Sequence, residues 1–223
     1  MGYLRQNESR SKLAIRLIIV VMIIDLFSLF SNVLEYQLLS SDFISPESAD
    51  SNDRRQQVIA ILHMVAIIIS AVTFIQWFRR AYFNLGKRIN PLNHAENWAA
   101  LGWFVPFISL YRPYQIAEEL FRNTEEYLIR NSSNFKETIS HSKIGIWWTF
   151  WIISNIIGNI AFRISLNADT IDSLETANIF ACLSDITSIP AGIFAILMIK
   201  EYSKMESLFY TTEVKAIEKE TIE

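Results

Sequence analysis

Four stretches of the chain stay apolar for about 20 residues at a time, the length of α-helix that crosses a hydrocarbon layer roughly 30 Å thick. They run from Leu13 to Leu39, Gln56 to Phe78, Ile144 to Ile164 and Thr176 to Ile199. Hydrocarbon offers the backbone no hydrogen-bond partner, so such blocks must be helices that satisfy their own N–H and C=O groups. An all-α integral membrane protein with four transmembrane helices is the predicted fold class. Composition agrees: 51% of the 223 residues are hydrophobic and 19% charged, against about 25% charged in an average soluble domain. Trp147, Trp148 and Trp151 open the third block, where amphipathic rings suit a water–lipid boundary. Pro190 and Gly192 in the last block mark a kink that neighbouring helices tolerate.

A fifth apolar stretch, the 14 residues from Trp98 to Tyr111, holds Pro106 and is followed by Arg112-Pro113. At about 1.5 Å per residue it reaches only roughly 21 Å, short of a crossing. Loop charge arbitrates between four spans and five. The N-terminal arm holds Arg5, Arg10 and Lys12, the loop after the second block Arg79, Arg80, Lys87 and Arg88, and the tail Lys200, Lys204, Lys215 and Lys219. Arg112, Arg122, Arg130, Lys136 and Lys143 follow the short stretch. The two remaining loops are acidic, with Asp42, Glu47, Asp50 and Asp53 beside Arg54 and Arg55 in one, and Asp169, Asp172 and Glu175 in the other. If the short stretch does not cross, every basic region falls on the cytoplasmic side; if it crosses, five basic residues land outside.

The expected organisation is therefore a cytoplasmic arm over 1–12, a single helical membrane domain over 13–205 and a cytoplasmic tail over 206–223. Within the domain, 98–131 holds a re-entrant or interfacial Pro-containing segment and then a cytoplasmic-side amphipathic helix. In that helix Ile116, Leu120, Tyr127 and Leu128 share one face, while Glu118, Glu119, Glu125 and Glu126 fill others. Asn131 to Ser142 reads as a polar loop, and the charged end from Ile217 as a region prone to fray.

Polar residues inside spans are expensive in lipid, so their placement carries information. Asp25, Ser28, Asn32 and Glu35 fall on one face of the first helix. His63 and Ser70 mark the second, Asn155 and Asn159 the third, and Asn178, Asp185 and Gly192 the fourth. The economical arrangement turns all four stripes inward. Asp25 and Asp185 then lie near the midplane, with Glu35, His63, Asn159 and Arg163 in the outer third and Glu35 paired with Arg163. Two midplane carboxylates without a midplane cation call for protonation, water or a bound cation, unless they serve only to fix packing.

Two strings stand out beyond the spans. One is Trp77-Phe78-Arg79-Arg80-Ala81-Tyr82-Phe83-Asn84-Leu85; the other is Trp103-Phe104-Val105-Pro106-Phe107-Ile108-Ser109-Leu110-Tyr111-Arg112-Pro113-Tyr114-Gln115, followed by Glu118-Glu119-Leu120. Together they resemble a bacterial membrane family catalogued as domain of unknown function 4328, with Phe121 where that family often has Trp. The resemblance implies a bacterial source, the cytoplasmic (inner) membrane and this architecture, but no activity and no catalytic residues. Arg79, Arg80 and Arg112 invite a reading in which the motif meets lipid phosphates at the inner face, with Pro106 and Pro113 shaping the turn. Anchoring alone would need no more.

Other chemistry is sparse. Cys182 is the sole cysteine, which excludes an intramolecular disulfide and a thiolate metal site. His63, His94 and His141 are scattered, so no metal or other cofactor is expected. His94, Glu96 and Glu118 are the acid–base candidates for an enzyme, the least favoured class. A net charge of −3 without a long basic tract argues against nucleic acid. Two readings lead: a polar intramembrane core that binds or conducts a small solute, ion or lipid group, and an interaction protein whose inner-face motif docks a lipid headgroup, a protein partner or another copy of the chain.

Overall fold

The computed structural model describes residues 3–131, 135 and 142–222, the side chains of 211–222 excepted. The expected polar loop, with His141 and Lys136, lies largely outside the described residues. Six helices follow one another: α1 (Glu8–Leu39), α2 (Pro46–Gly86), α3 (Trp98–Leu101), α4 (Arg112–Asn131), α5 (Ser142–Leu166) and α6 (Ile171–Ile222). No strand occurs among the described residues. α1, α2, α5 and α6 are long and apolar enough to cross a bilayer, which makes the chain an all-helical, multi-pass membrane protein.

Local chemistry sets several helix ends. The Ser45 hydroxyl accepts the Ser48 N–H at 3.2 Å, and Pro46 occupies the first helical position, where its missing N–H costs nothing. Thr170 caps α6 in the same way, its hydroxyl accepting the Ser173 N–H at 3.2 Å. Both α2 and α6 outrun their apolar blocks. α2 carries the whole Trp77–Leu85 motif in its last turns, and α6 passes Pro190 and continues to Ile222, so the end expected to fray is helical.

The short apolar stretch forms no spanning helix. It breaks into α3 and a 3-10 turn over Ile108–Leu110, joined by a loop in which Phe107 takes a positive φ of 62°. The amphipathic helix is α4, and Ile116, Leu120 and Leu128 on its apolar face are buried. Two of its acids are buried as well, Glu119 and Glu125, against the expectation that both lie off the packed face.

The chain divides into two compact units. One comprises Met1–Ile15, Ala71–Gly145 and Ala195–Glu223; the other comprises Arg16–Ser70 and Ile146–Phe194. They are called the motif unit and the span unit below. The motif unit is packed with large side chains, among them Trp77, Phe78, Tyr82, Leu85, Tyr202 and Phe209, all fully buried. Its rings interlock: Phe74 meets Trp103 edge-on at 5.5 Å, and Tyr202 lies 6.1 Å from Trp77 and 5.5 Å from Phe121. In the span unit the buried set is mostly polar or small, including Asp25, Ser31, Asn32, Asn178, Asp185, Ala66 and Ala177, with Trp147 and Trp148 as its buried rings.

Candidate functional site

α1 and α2 form an antiparallel hairpin in the span unit, folded about Phe43 and Ile44. Its register follows from the contacts, since His63 meets Asp25, Gln56 meets Asn32, Arg55 meets Ser31 and Asn52 meets Glu35. α6 completes the core with Asn178, Asp185 and Ser188. Polar side chains of these three helices meet there.

Two sets of hydrogen bonds link them, meeting where the Ser188 Oγ stands 2.8 Å from the Asp185 carbonyl. His63 Nε2 lies 2.7 Å from Asp25 Oδ1, and the Ser188 hydroxyl donates to Asp25 Oδ2 at 2.7 Å. Asn32 Nδ2 donates to Asp185 Oδ2 at 3.0 Å, and Gln56 Nε2 bridges Asn32 Oδ1 at 3.3 Å and Glu35 Oε2 at 2.8 Å. Asn178 and Asn52 donate to the two Glu35 oxygens at 2.7 and 3.2 Å. Arg55 closes this end through Ser31 and Asn52. From Asp25 to Glu35 the network covers ten residues of α1, about 15 Å at helical rise.

Beyond Asp25 the polar side chains of α1 and α6 stop, while α2 still buries Ser70. Residues 17–24 of α1 and 189–194 of α6 are apolar apart from the backbone. Gly192 receives Met22 so closely that a Cβ there would stand 2.8 Å from the Met22 sulfur and Cγ. Any larger residue would push the thioether out, so this glycine is what lets Met22 close the core on that side.

Three expectations need correction. Asn155 and Asn159 are exposed, and each donates to the carbonyl one turn back on α5, Trp151 O at 2.7 Å and Asn155 O at 2.9 Å. The α5 stripe therefore turns outward. α5 instead faces α6 through Gly158, where a Cβ would meet the Ser184 hydroxyl at 3.1 Å. Arg163 is exposed on the same outward stripe, and Glu35 takes Asn52, Gln56 and Asn178 as partners in its place. His63 sits at the level of Asp25 rather than Glu35: α2 starts ten residues before its apolar block, so residue 56 is not the end from which depth should be counted. Cys182 is half-buried, its thiol 3.8 Å from Asn178 Oδ1.

The two motif strings build the motif unit from within. Trp77, Tyr82 and Asn84 are completely buried. Asn84 Nδ2 donates to Glu206 Oε1 at 2.7 Å and to the Arg5 carbonyl at 2.8 Å, while Asn7 Nδ2 reaches Glu206 Oε2 at 3.1 Å. Tyr82 donates its hydroxyl proton to Glu119 Oε2 at 2.7 Å, and the Asn93 N–H donates to Glu119 Oε1 at 2.7 Å. Arg112 Nη1 lies 3.0 Å from His94 Nδ1, and its guanidinium stands over Trp98 and Tyr111, 5.5 Å from each ring centroid. Burial first, and then the Arg112 charge, hold the His94 imidazole below its ordinary range, so it accepts from Arg112 as the neutral ring.

Arg79 pairs with Glu96 at 3.1 Å, and Arg80 donates to the Gln6 carbonyl at 3.3 Å. Trp103 donates to Ala99 O, Pro113 is buried at the start of α4, and Tyr114 is half-buried. Pro106 and Gln115 are exposed, and Glu118 is half-buried. Its neighbour Glu119, buried beside Ile116 and Leu120, is the carboxyl that Tyr82 and Asn93 hold. Glu206 was missed for want of any sequence signal beyond its place in a charged tail.

A family model described as Domain of unknown function (DUF4328) matches residues 41–204. The chain belongs to this family. Both strings that carry the resemblance fall within the match. No curated protein and no solved structure matches the chain.

Proposed function

We propose that the span unit holds a proton-binding core, in which Asp25, Asp185 and His63 share protons that enter from the Glu35 end. The observation that carries this is the charge content of the hydrogen-bonded network. Three carboxylates, Asp25, Glu35 and Asp185, are opposed by Arg55 and the titratable His63. Asp25 and Asp185 are only 1% and 7% exposed, and unneutralised charge in a low-dielectric interior is unfavourable. Protonation is the neutralisation that the geometry favours. Asp25 already has side-chain partners at 2.7 Å on both oxygens, and no cluster of three His, Cys, Asp or Glu among the described residues could hold a metal ion.

The core supports binding rather than free conduction, because Met22 against Gly192 occludes the side beyond Asp25. On this reading the termini face the cytoplasm of a bacterial inner membrane, as the loop charges require. The exposed Phe104 and Phe107 sit in its inner interface rather than dipping through it. The alternative docking role for the basic motif loses support, since Arg79, Arg80 and Arg112 already have partners within the chain.

Proton uptake by the purified protein in detergent, measured with a pH-indicator dye, tests the proposal. Wild type should take up protons that the Asp25→Asn/Asp185→Asn variant does not, with no change when Na⁺ or K⁺ is added. Equal uptake by a folded double variant would remove the proposal. Sustained proton flux in wild-type vesicles would replace occluded binding with conduction.

A further inference from the structure

We propose that a groove in the motif unit binds one anionic glycerophospholipid by its phosphate. The groove, about 1120 Å³ in volume, is walled by the first turns of α1 and by α6 beyond Leu197, with Lys143 at the start of α5. Four lysines line it: Lys12, Lys143, Lys200 and Lys204. Two are neutralised locally, Lys12 by Glu8 at 2.6 Å and Lys143 by Glu201 at 2.8 Å. Glu206, the third carboxyl on the wall, is held by Asn7 and Asn84. Lys200 and Lys204 belong to no ion pair formed among the described residues, and both are exposed. Four residues apart on α6, they lie on one helical face and present two ammonium groups to the same opening.

The rest of the wall decides which anion fits. Ile15, Leu197, Met205 and Leu208 are apolar and lie in the same groove, and Ile15 and Leu197 belong to the apolar blocks of α1 and α6 that cross the bilayer. A free phosphate has no use for that surface. A phospholipid does: its phosphate meets the two lysines while the first part of its acyl chains runs against Ile15 and Leu197. An anionic headgroup is favoured over a zwitterionic one because, among the described residues, no carboxylate remains free on the wall to receive a choline or ammonium group. The site is separate from the proton-binding core and does not depend on it.

Native mass spectrometry of the full chain, delipidated in a neutral detergent, tests the proposal with phosphatidylglycerol and phosphatidylcholine of the same chain length. Wild type should prefer phosphatidylglycerol by about 10- to 30-fold, the effect of two lysines near a lipid surface. Lys200→Gln/Lys204→Gln should lose most of that preference and Lys204→Gln alone part of it. Lys87→Gln, which removes a charge that lies over Phe83 outside the groove, should leave it intact. Equal binding of the two lipids by wild type, or an unchanged preference in the double variant, would overturn the proposal. Displacement of phosphatidylglycerol by millimolar inorganic phosphate would overturn it in favour of a free-anion site.

Discussion

The two units differ in which side chains they bury most completely. The largest fully buried side chains all belong to the motif unit, whereas the span unit buries Asp25, Asn32, Asn178 and Asp185 and exposes Phe27 and Phe30 at 64% each. Only 11% to 28% of the most apolar window of each long helix is covered by the rest of the chain. In water that exposed surface would collapse or aggregate; in lipid it is at home. The exposed apolar faces of the long helices therefore point to lipid around them. The motif unit is packed chiefly by buried rings, and the span unit gains little from burying apolar groups because lipid is as apolar as they are. Its specificity must come from polar contacts.

Substitutions can break this contrast, and the greatest loss is expected in the motif unit. Trp77→Ala removes a completely buried indole and should cost about 3–5 kcal/mol, read by chemical denaturation in detergent; a cost below about 1 kcal/mol would mean the aromatic packing is not what holds the unit. Tyr82→Phe keeps the ring but takes a donor from the buried Glu119, for an expected loss of about 1–3 kcal/mol. No loss would show that the backbone N–H of Asn93 satisfies that carboxyl alone.

His94 sharpens the contrast through pH. Its folded-state pKa lies below the ordinary value, so the unfolded chain binds a proton that the native ring refuses. The stabilisation is present above the unfolded-state value of about 6.5 and is lost as pH falls through that value toward the folded one. Thermal unfolding should show wild type losing more stability between pH 7 and 5 than His94→Gln; parallel curves would contradict the neutral assignment. The smallest effect belongs to the lipid-facing surface. Phe27→Ala should change stability by no more than about 0.5 kcal/mol in a bilayer-like detergent, and a loss as large as that of Trp77→Ala would place Phe27 in a protein core.

Much of this was legible beforehand, and the errors have physical causes. Block length located the four spans and loop charge argued against a fifth, because hydrocarbon thickness admits few alternatives. Helical phase put Asp25, Asn32 and Glu35 on one face of α1, and the hydrogen bonds join that face to Asp185 through Asn32. Asn155 and Asn159 failed the same logic because a carboxamide can satisfy itself on the carbonyl one turn back, which phase does not reveal. The depth of His63 depended on where α2 begins, and the Ser45-Pro46 start lies upstream of the apolar block that had set the scale. The motif strings were visible as strings, but their role inside the motif unit depends on Glu119 and Glu206, and Glu206 comes from a distant part of the chain.

Infrared difference spectroscopy of the carboxyl groups tests the central claim most directly, because it observes the proposed proton sites themselves. Protein in lipid nanodiscs, stepped between acidic and alkaline buffer, should show a protonated-carboxyl band from a low-polarity environment that shifts in deuterium oxide. That band should disappear in the Asp25→Asn/Asp185→Asn variant and persist in Glu118→Gln. A wild-type spectrum without such a band, or one that the double variant reproduces in full, would contradict a proton-binding core in the span unit.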